Sequence, residues 1–247
     1  MKDVFLKPGE RIDDLQRNGC RIIQDPGRFC FGMDAVLLAG FATCRPRDRV
    51  CDLGTGTGIL PILLAARHPE AGPMEAVEIQ EESADMARRS VEMNEMEGRI
   101  TVRTGDLKEA SRIFGSDVFD LVVSNPPYMP GGRGLTNPSE PLRRARHEID
   151  CTFEDVAREA ARILRERGRF ALVHRPERLA GIIGTMLHYR LEPKRMKLVH
   201  PYAGQPANMV LIEAVKGGGE ELKVEAPLII YREAGVYTDE IYDIYGY

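Results

Sequence analysis

The 247-residue chain lacks any apolar stretch near the ~20 residues of a membrane-spanning helix; its longest runs, 35–42 and 59–66, stop at eight. Its N-terminus, MKDVFLKPGERIDD, lacks the apolar core of a signal peptide. Both absences speak against membrane insertion and secretion. Cysteine is scarce and odd in number: Cys20, Cys30, Cys44, Cys51 and Cys151 include no C-x-x-C pair. Neither a disulfide framework nor a zinc cluster is expected, and reduced, mostly buried thiols in a cytoplasm are. The five histidines form no i, i+4 pair and no H-E-x-x-H, so no metal is expected. The phosphate loop G-x-x-x-x-G-K-[ST] and internal repeats are also missing.

What is present is 43% hydrophobic residues, enough to bury one good-sized core in one domain with additions, or two at most. A net charge of −4 hides an uneven spread: residues 1–132 carry −5, 133–200 carry +6 and 217–247 carry −5. A basic excess alone reads as a solvated arginine-rich helix face. It points to nucleic acid only if chemistry elsewhere asks for such a partner.

Strand-like and helix-like segments alternate along the chain. Strands are predicted at 49–53, 74–79, 100–103, 119–124, 169–174, 195–200 and 209–214, and helices at 59–67, 81–96, 153–167 and 179–188. Before them come a strand at 21–24, a turn-rich loop at 25–32 and an apolar helix at 34–42, with Asp34 in its first turn. This alternation implies a mainly parallel sheet covered by helices on both faces. Such sheets bind ligands at the carboxyl ends of their strands.

The first strand of the alternation runs into Asp52-Leu53-Gly54-Thr55-Gly56-Thr57-Gly58 and then a helix. Glycines there permit a tight turn and a close backbone approach to a ligand. The spacing differs from the G-x-G-x-x-G of dinucleotide enzymes, and the adjacent acid repels pyrophosphate while favouring an ammonium group. Glu78 ends the second strand, where a carboxylate can accept from both ribose hydroxyls. Asp106, after the third, can accept from an adenine amino group. Read singly, Glu78 is a surface carboxylate and Asp106 a helix cap. Three acids at three successive strand ends around a glycine turn instead match S-adenosylmethionine, with Thr55, Ile79, Leu107 and Asn125 beside them in the expected cofactor set.

After the fourth strand comes Asn125-Pro126-Pro127-Tyr128. Two prolines stiffen the backbone and remove two amide donors. The Asn125 side-chain oxygen and the Pro126 carbonyl are then available to accept both N–H bonds of a planar amino group, and Tyr128 offers a flat face to an unstacked base. These four residues are the expected catalytic set, against the plainer reading of a loop that merely ends a strand.

The order DLGTGTG, AVEI, GDL and SNPPY resembles the class I amino-methyltransferases, over residues 22–247. More narrowly, Gly27-Arg28-Phe29, residues 31–38 (FGMDAVLL), Ala145-Arg146-His147-Glu148 and Pro227-Leu228-Ile229-Ile230-Tyr231 resemble the bacterial tRNA(Val) adenine-N6 methyltransferase family, which methylates the adenosine just 3′ of the anticodon. The resemblance implies a Rossmann-like, mainly parallel seven-stranded sheet. It places Gly54 and Gly56 along the cofactor, Glu78 on the ribose, Asp106 on the adenine, Gly32 and Asp34 near the methionine end, and Asn125 through Tyr128 on the target. Met129 departs from it, standing where an aromatic residue is common.

Residues 129–152 form a long loop bearing Arg133, Arg143, Arg144, Arg146 and His147, expected to grip the phosphates of tRNA around an extruded base. A flexible solvated cover is the plainer alternative. Lys194, Arg195 and Lys197 extend this patch or mark a charged strand edge. The other histidines read as structural or surface residues. The final stretch, with seven acids and five tyrosines, cannot favour phosphate, and Pro227–Tyr231 is expected to pack on the domain. The expected organisation is an N-terminal extension at 1–45, a methyltransferase domain at 46–216 and an acidic tail at 217–247. A release-factor glutamine amide is the alternative substrate, although few residues precede Asp52 for that family's helical domain. A non-catalytic RNA-binding protein of the same fold is the remaining alternative.

Overall fold

A computed structural model describes residues 5–27, 30–126 and 151–246. It opens with an antiparallel hairpin of β1 (Arg11–Asp14) and β2 (Arg21–Gln24), in which Arg11 faces Gln24. Helix α1 (Met33–Phe41) follows, and the alternating series then runs β3 (Val50–Leu53), α2 (Ile59–Arg67), β4 (Met74–Glu78), α3 (Glu81–Met93), β5 (Ile100–Thr104), α4 (Ala110–Phe114), β6 (Phe119–Ser124). Beyond residue 151 come α5 (Phe153–Ile163), β7 (Leu164–His174), α6 (Leu179–His188), β8 (Leu191–Tyr202) and β9 (Met209–Lys216). The chain ends in β10 (Lys223–Val224), β11 (Leu228–Glu233), β12 (Val236–Tyr237) and α7 (Asp239–Tyr245).

Strands β5, β4, β3, β6 and β7 lie side by side in parallel, and the antiparallel β9 then pairs with β8. Both faces are covered, which explains why the central strands read as almost continuous apolar runs. On β3, Val50 faces the layer of α1, α2, α3 and α7, while Cys51 and Leu53 face α4, α5 and α6; none is more than 1% exposed. No helix among the described residues is long and apolar enough to cross a membrane. Cys20 and Cys51 are buried and the other three cysteines half-buried, all with free thiols.

Two expectations need correction. The helix from Phe153 ends at Ile163 rather than Arg167, because Leu164 leaves helical geometry and pairs with Phe119 as the first residue of β7. Leu164 is fully buried, and Arg167 at φ 67° carries the irregular stretch back into register. At the other end of that helix, Thr152 and Asp155 form a reciprocal capping box. The sheet has ten strands among the described residues, not seven. The extra three come after Gly217, where Leu228 and Ile230, 1% and 3% exposed, bury against the domain as β11 runs parallel to β8.

Acids near the end also absorb the basic residues of β8. Arg195 bonds Glu225 at 2.7 Å and Glu213 at 3.2 Å, and Lys197 bonds Glu240 at 3.1 Å. Lys194 donates to the carbonyls of Gly219 and Glu220. These three cations pair within the protein's own chain, on a strand flanked by β9 on one side and by β10 and β11 on the other.

Candidate active site

Strand β3 has β4 on one side and β6 on the other, so the connections after them leave in opposite directions and open a crevice at the carboxyl ends. The residues that close β3, β4, β5 and β6 meet there.

The glycine turn is tied to β4: the Val77 carbonyl accepts from Gly54 N at 3.0 Å and Thr55 N at 3.1 Å. Gly58, at φ 90°, lets α3 come close, and a Cβ there would stand 3.1 Å from that of Ala87. Gly56 turns its amide onto Glu78 Oε2 at 2.9 Å, while Gln80 N donates to Oε1 at 2.9 Å. Glu78, 7% exposed, is therefore oriented by two backbone amides and keeps further lone pairs on each oxygen.

Asp52 is 1% exposed, and among the described residues neither of its oxygens has a hydrogen-bond partner; the buried Thr55 hydroxyl has none either. Burial pushes the Asp52 carboxyl up to about 7; the nearby Thr55 hydroxyl opposes the shift and the charge of Glu78 adds to it. Unsatisfied polar atoms beneath a glycine turn leave acceptor capacity for a cationic ligand.

Asp106 caps a 3-10 turn over Leu107–Glu109, its Oδ1 accepting from Lys108 N at 2.9 Å and its Oδ2 lying 3.3 Å from Lys108 Nζ. Its plainer role as a cap is thus real, and its carboxylate still borders the cleft. That cleft, with a volume of about 60 Å³, is lined by Gly54, Glu78, Ile79, Asp106, Leu107 and Cys151. Ile79 is 50% exposed there. Cys151 escaped sequence reasoning because nothing in its neighbourhood along the chain links it to the glycine turn. Its thiol is pushed up to about 11, chiefly by burial. A wider, shallow depression between His200, Gln205 and Pro227 has no carboxylate among the described residues that line it.

At the end of β6, the buried Ser124 hydroxyl donates to the Leu53 carbonyl at 2.8 Å. This bond sets the half-buried Asn125 and the buried Pro126 beside the start of the glycine turn. Pro127, Tyr128, Arg133, Arg143, Arg144, Arg146 and His147 lie outside the described residues, as do Arg28, Phe29 and Met129. One strand further, burial holds His174 down to about 4, and its ring meets Phe153 edge-on at 6.3 Å.

Gly32 precedes α1, where Asp34 Oδ1 accepts from Ala35 N at 2.9 Å. The segment reaches the glycine turn through a residue that sequence reasoning missed. Gln24, fully buried, accepts from Phe31 N at 3.1 Å and donates to the Thr57 hydroxyl.

The profile of the methyltransferase small domain family matches residues 20–183, from the end of the hairpin turn into α6. The chain belongs to this family. Within it, the chain is similar to a tRNA1(Val) (adenine(37)-N6)-methyltransferase of Aeromonas hydrophila, 30% identical over 208 residues that cover 84% of this chain and 85% of the relative. Among solved structures it is similar to a predicted O-methyltransferase of Agrobacterium tumefaciens, with TM-score 0.69 and 30% identity across 86% of this chain and 95% of that one. In fold alone it is similar to geranyl diphosphate C-methyltransferase of Streptomyces coelicolor A3(2), solved with S-adenosyl-L-homocysteine, Mg2+ and geranyl diphosphate; the TM-score is 0.53 at 14% identity, covering 74% and 76%. The fold is the Rossmann-like class I methyltransferase fold. In this methyltransferase small domain protein, the matched span holds every strand end that meets in the crevice.

Proposed function

We propose that the protein methylates the exocyclic N6 of an adenosine in tRNA, at the position named for its Aeromonas relative, with S-adenosylmethionine as donor. The residues present suit that cofactor: Asp52 and Thr55 are buried without hydrogen-bond partners among the described residues under the glycine turn, and the oriented Glu78 carboxylate borders a cleft with Ile79 and Leu107. Glu78 would accept from the ribose hydroxyls and Asp106 from the adenine amino group, with Ile79 against the ring. The buried carboxylate of Asp52 would favour the cationic amino-acid end, near Gly32 and Asp34. When bound, the cofactor supplies a methyl group on a positively charged sulfur.

The protein's part in the reaction is acceptance and orientation. Asn125 Oδ1 and the Pro126 carbonyl would take the two N–H bonds of the target amino group, and Tyr128 would stack on its ring. The nitrogen needs no base beforehand, since it acidifies on methylation and then loses one proton to solvent or a neighbouring acceptor. Arg133, Arg143, Arg144, Arg146 and His147 would hold phosphates around the extruded base.

The observation that carries this reading is the bond from Ser124 to Leu53, which sets Asn125 and Pro126 beside the glycine turn. An amino-group acceptor pair favours nitrogen over oxygen as target. Incubation with labelled S-adenosylmethionine and unmodified bulk tRNA, followed by nucleoside mass spectrometry, should yield N6-methyladenosine. Asn125→Ala should abolish it and retain cofactor binding. A 2′-O-methylated nucleoside, or methylation of a release factor with tRNA inert, would overturn the assignment.

A further inference from the structure

We propose that Gln24 is a positioning residue that clamps the glycine turn to the segment before α1, so that the N-terminal hairpin sets the affinity for the cofactor. The inference rests on the reading of the crevice as an S-adenosylmethionine site.

Gln24 ends β2, a strand outside the main sheet. The hairpin has its own anchorage on α3, where Ile23 N donates to Ser90 Oγ at 2.9 Å and Asn94 exchanges bonds with Arg21 at 3.0 and 2.6 Å. Arg89 adds a bridge to Glu10 at 2.6 Å. From this fixed base the Gln24 carboxamide reaches two segments that have no regular structure. Its oxygen accepts from Phe31 N at 3.1 Å, and its nitrogen donates to the Thr57 hydroxyl and, at 3.2 Å, to the Ile23 carbonyl.

A carboxamide places an acceptor and two donors on one rigid plane, which this three-way junction uses. Thr57 sits between Gly56 and Gly58, both at positive φ and free of the usual side-chain limits on backbone movement. Holding its hydroxyl restrains the turn that aims Gly56 N at Glu78 Oε2. The path Phe31, Gln24, Thr57, Gly56, Glu78 joins the pre-α1 segment to the ribose-side carboxylate. Gln24 touches no reacting atom. Its effect falls on how far the cleft is formed before the cofactor arrives.

The test is calorimetric titration of the full chain with S-adenosylhomocysteine, together with amide exchange at Phe31. Gln24→Leu and Thr57→Val should each raise Kd about tenfold, the scale set by leaving a buried partner unsatisfied. Thr57→Ser, which retains the hydroxyl, should bind like the parent. The double variant should bind no worse than the weaker single one, because both remove the same link. Phe31 amide protection should fall in Gln24→Leu, and the rise in cofactor KM should exceed the fall in kcat. If Gln24→Leu does not fold, the Thr57→Val and Thr57→Ser pair decides, since the first replaces the hydroxyl with a methyl and the second keeps the hydroxyl and loses only the methyl. Unchanged Kd in folded variants, or additive losses in the double variant, would overturn the clamp alone. A parent protein that binds no S-adenosylhomocysteine would overturn the cofactor reading and the clamp together.

Discussion

Replacing Asp52 with asparagine should stabilise the ligand-free protein at neutral pH while weakening its hold on the cofactor. The carboxyl titrates near 7 when folded against 3.8 when exposed. From about pH 4 upward the unfolded chain releases this proton and the folded chain retains it, so stability falls as pH rises and levels off above 7. The full difference is about 4 kcal/mol, borne at pH 8 and absent near pH 4. Asparagine has nothing to ionise, and its similar shape suits the same site. For a chain of this length each kcal/mol moves Tm by about 2–4 °C, so the variant should melt about 10 °C higher than the parent at pH 8. The advantage should shrink steadily through pH 6 and vanish near pH 4. Thermal melts of both proteins from pH 4 to 8, followed by circular dichroism, read this directly. A constant offset across that range would refute the reasoning, because only a titrating group gives the offset a slope. Titration with S-adenosylhomocysteine at pH 8 should show weaker binding by the variant, marking the carboxylate as held unsatisfied for a ligand.

Other perturbations separate site from scaffold. Ser124→Ala leaves the buried Leu53 carbonyl without its 2.8 Å donor; it should cost about 1–2 kcal/mol in urea unfolding and lower kcat more than it raises cofactor KM. Gly58→Ala places a Cβ 3.1 Å from that of Ala87 at a φ of 90° and should destabilise by about 1–3 kcal/mol in the same assay. Arg169 and Asp48 form a buried pair at 2.6 Å, 5% and 8% exposed. Asp48→Ala strands the guanidinium and should cost about 3–5 kcal/mol, while cofactor Kd measured on the folded variant stays at the parent value.

The alternation of β3 through β6 with α2 through α4 was largely legible because periodicity is local. Ala84, Ala87 and Val91 recur on one face of α3, and the strands between the helices place apolar residues at most of their buried positions. The positions of the glycine turn and of the acids at 52, 78 and 106 at strand ends were legible too, since each follows from where its own strand stops. Helix α5 was read four residues too long, because Arg165, Glu166 and Arg167 suit a helix and only the pairing of Leu164 with Phe119 takes that stretch into the sheet. Strand β11 was expected to pack but not to pair, since its partner is the open side of β8, which exists only once β9 has folded back.

The sequence by itself determined the parallel sheet, the glycine turn with its acids and the Asn125-Pro126 pair, because spacing and residue type act over a few positions along the chain. Only the tertiary structure decided that Gln24 bonds Thr57, 33 residues away, that Cys151 borders the cleft, and that the acidic end neutralises β8. These depend on which surfaces the fold brings together and seals from water, and burial is what turns an ordinary glutamine or aspartate into a constraint on the site.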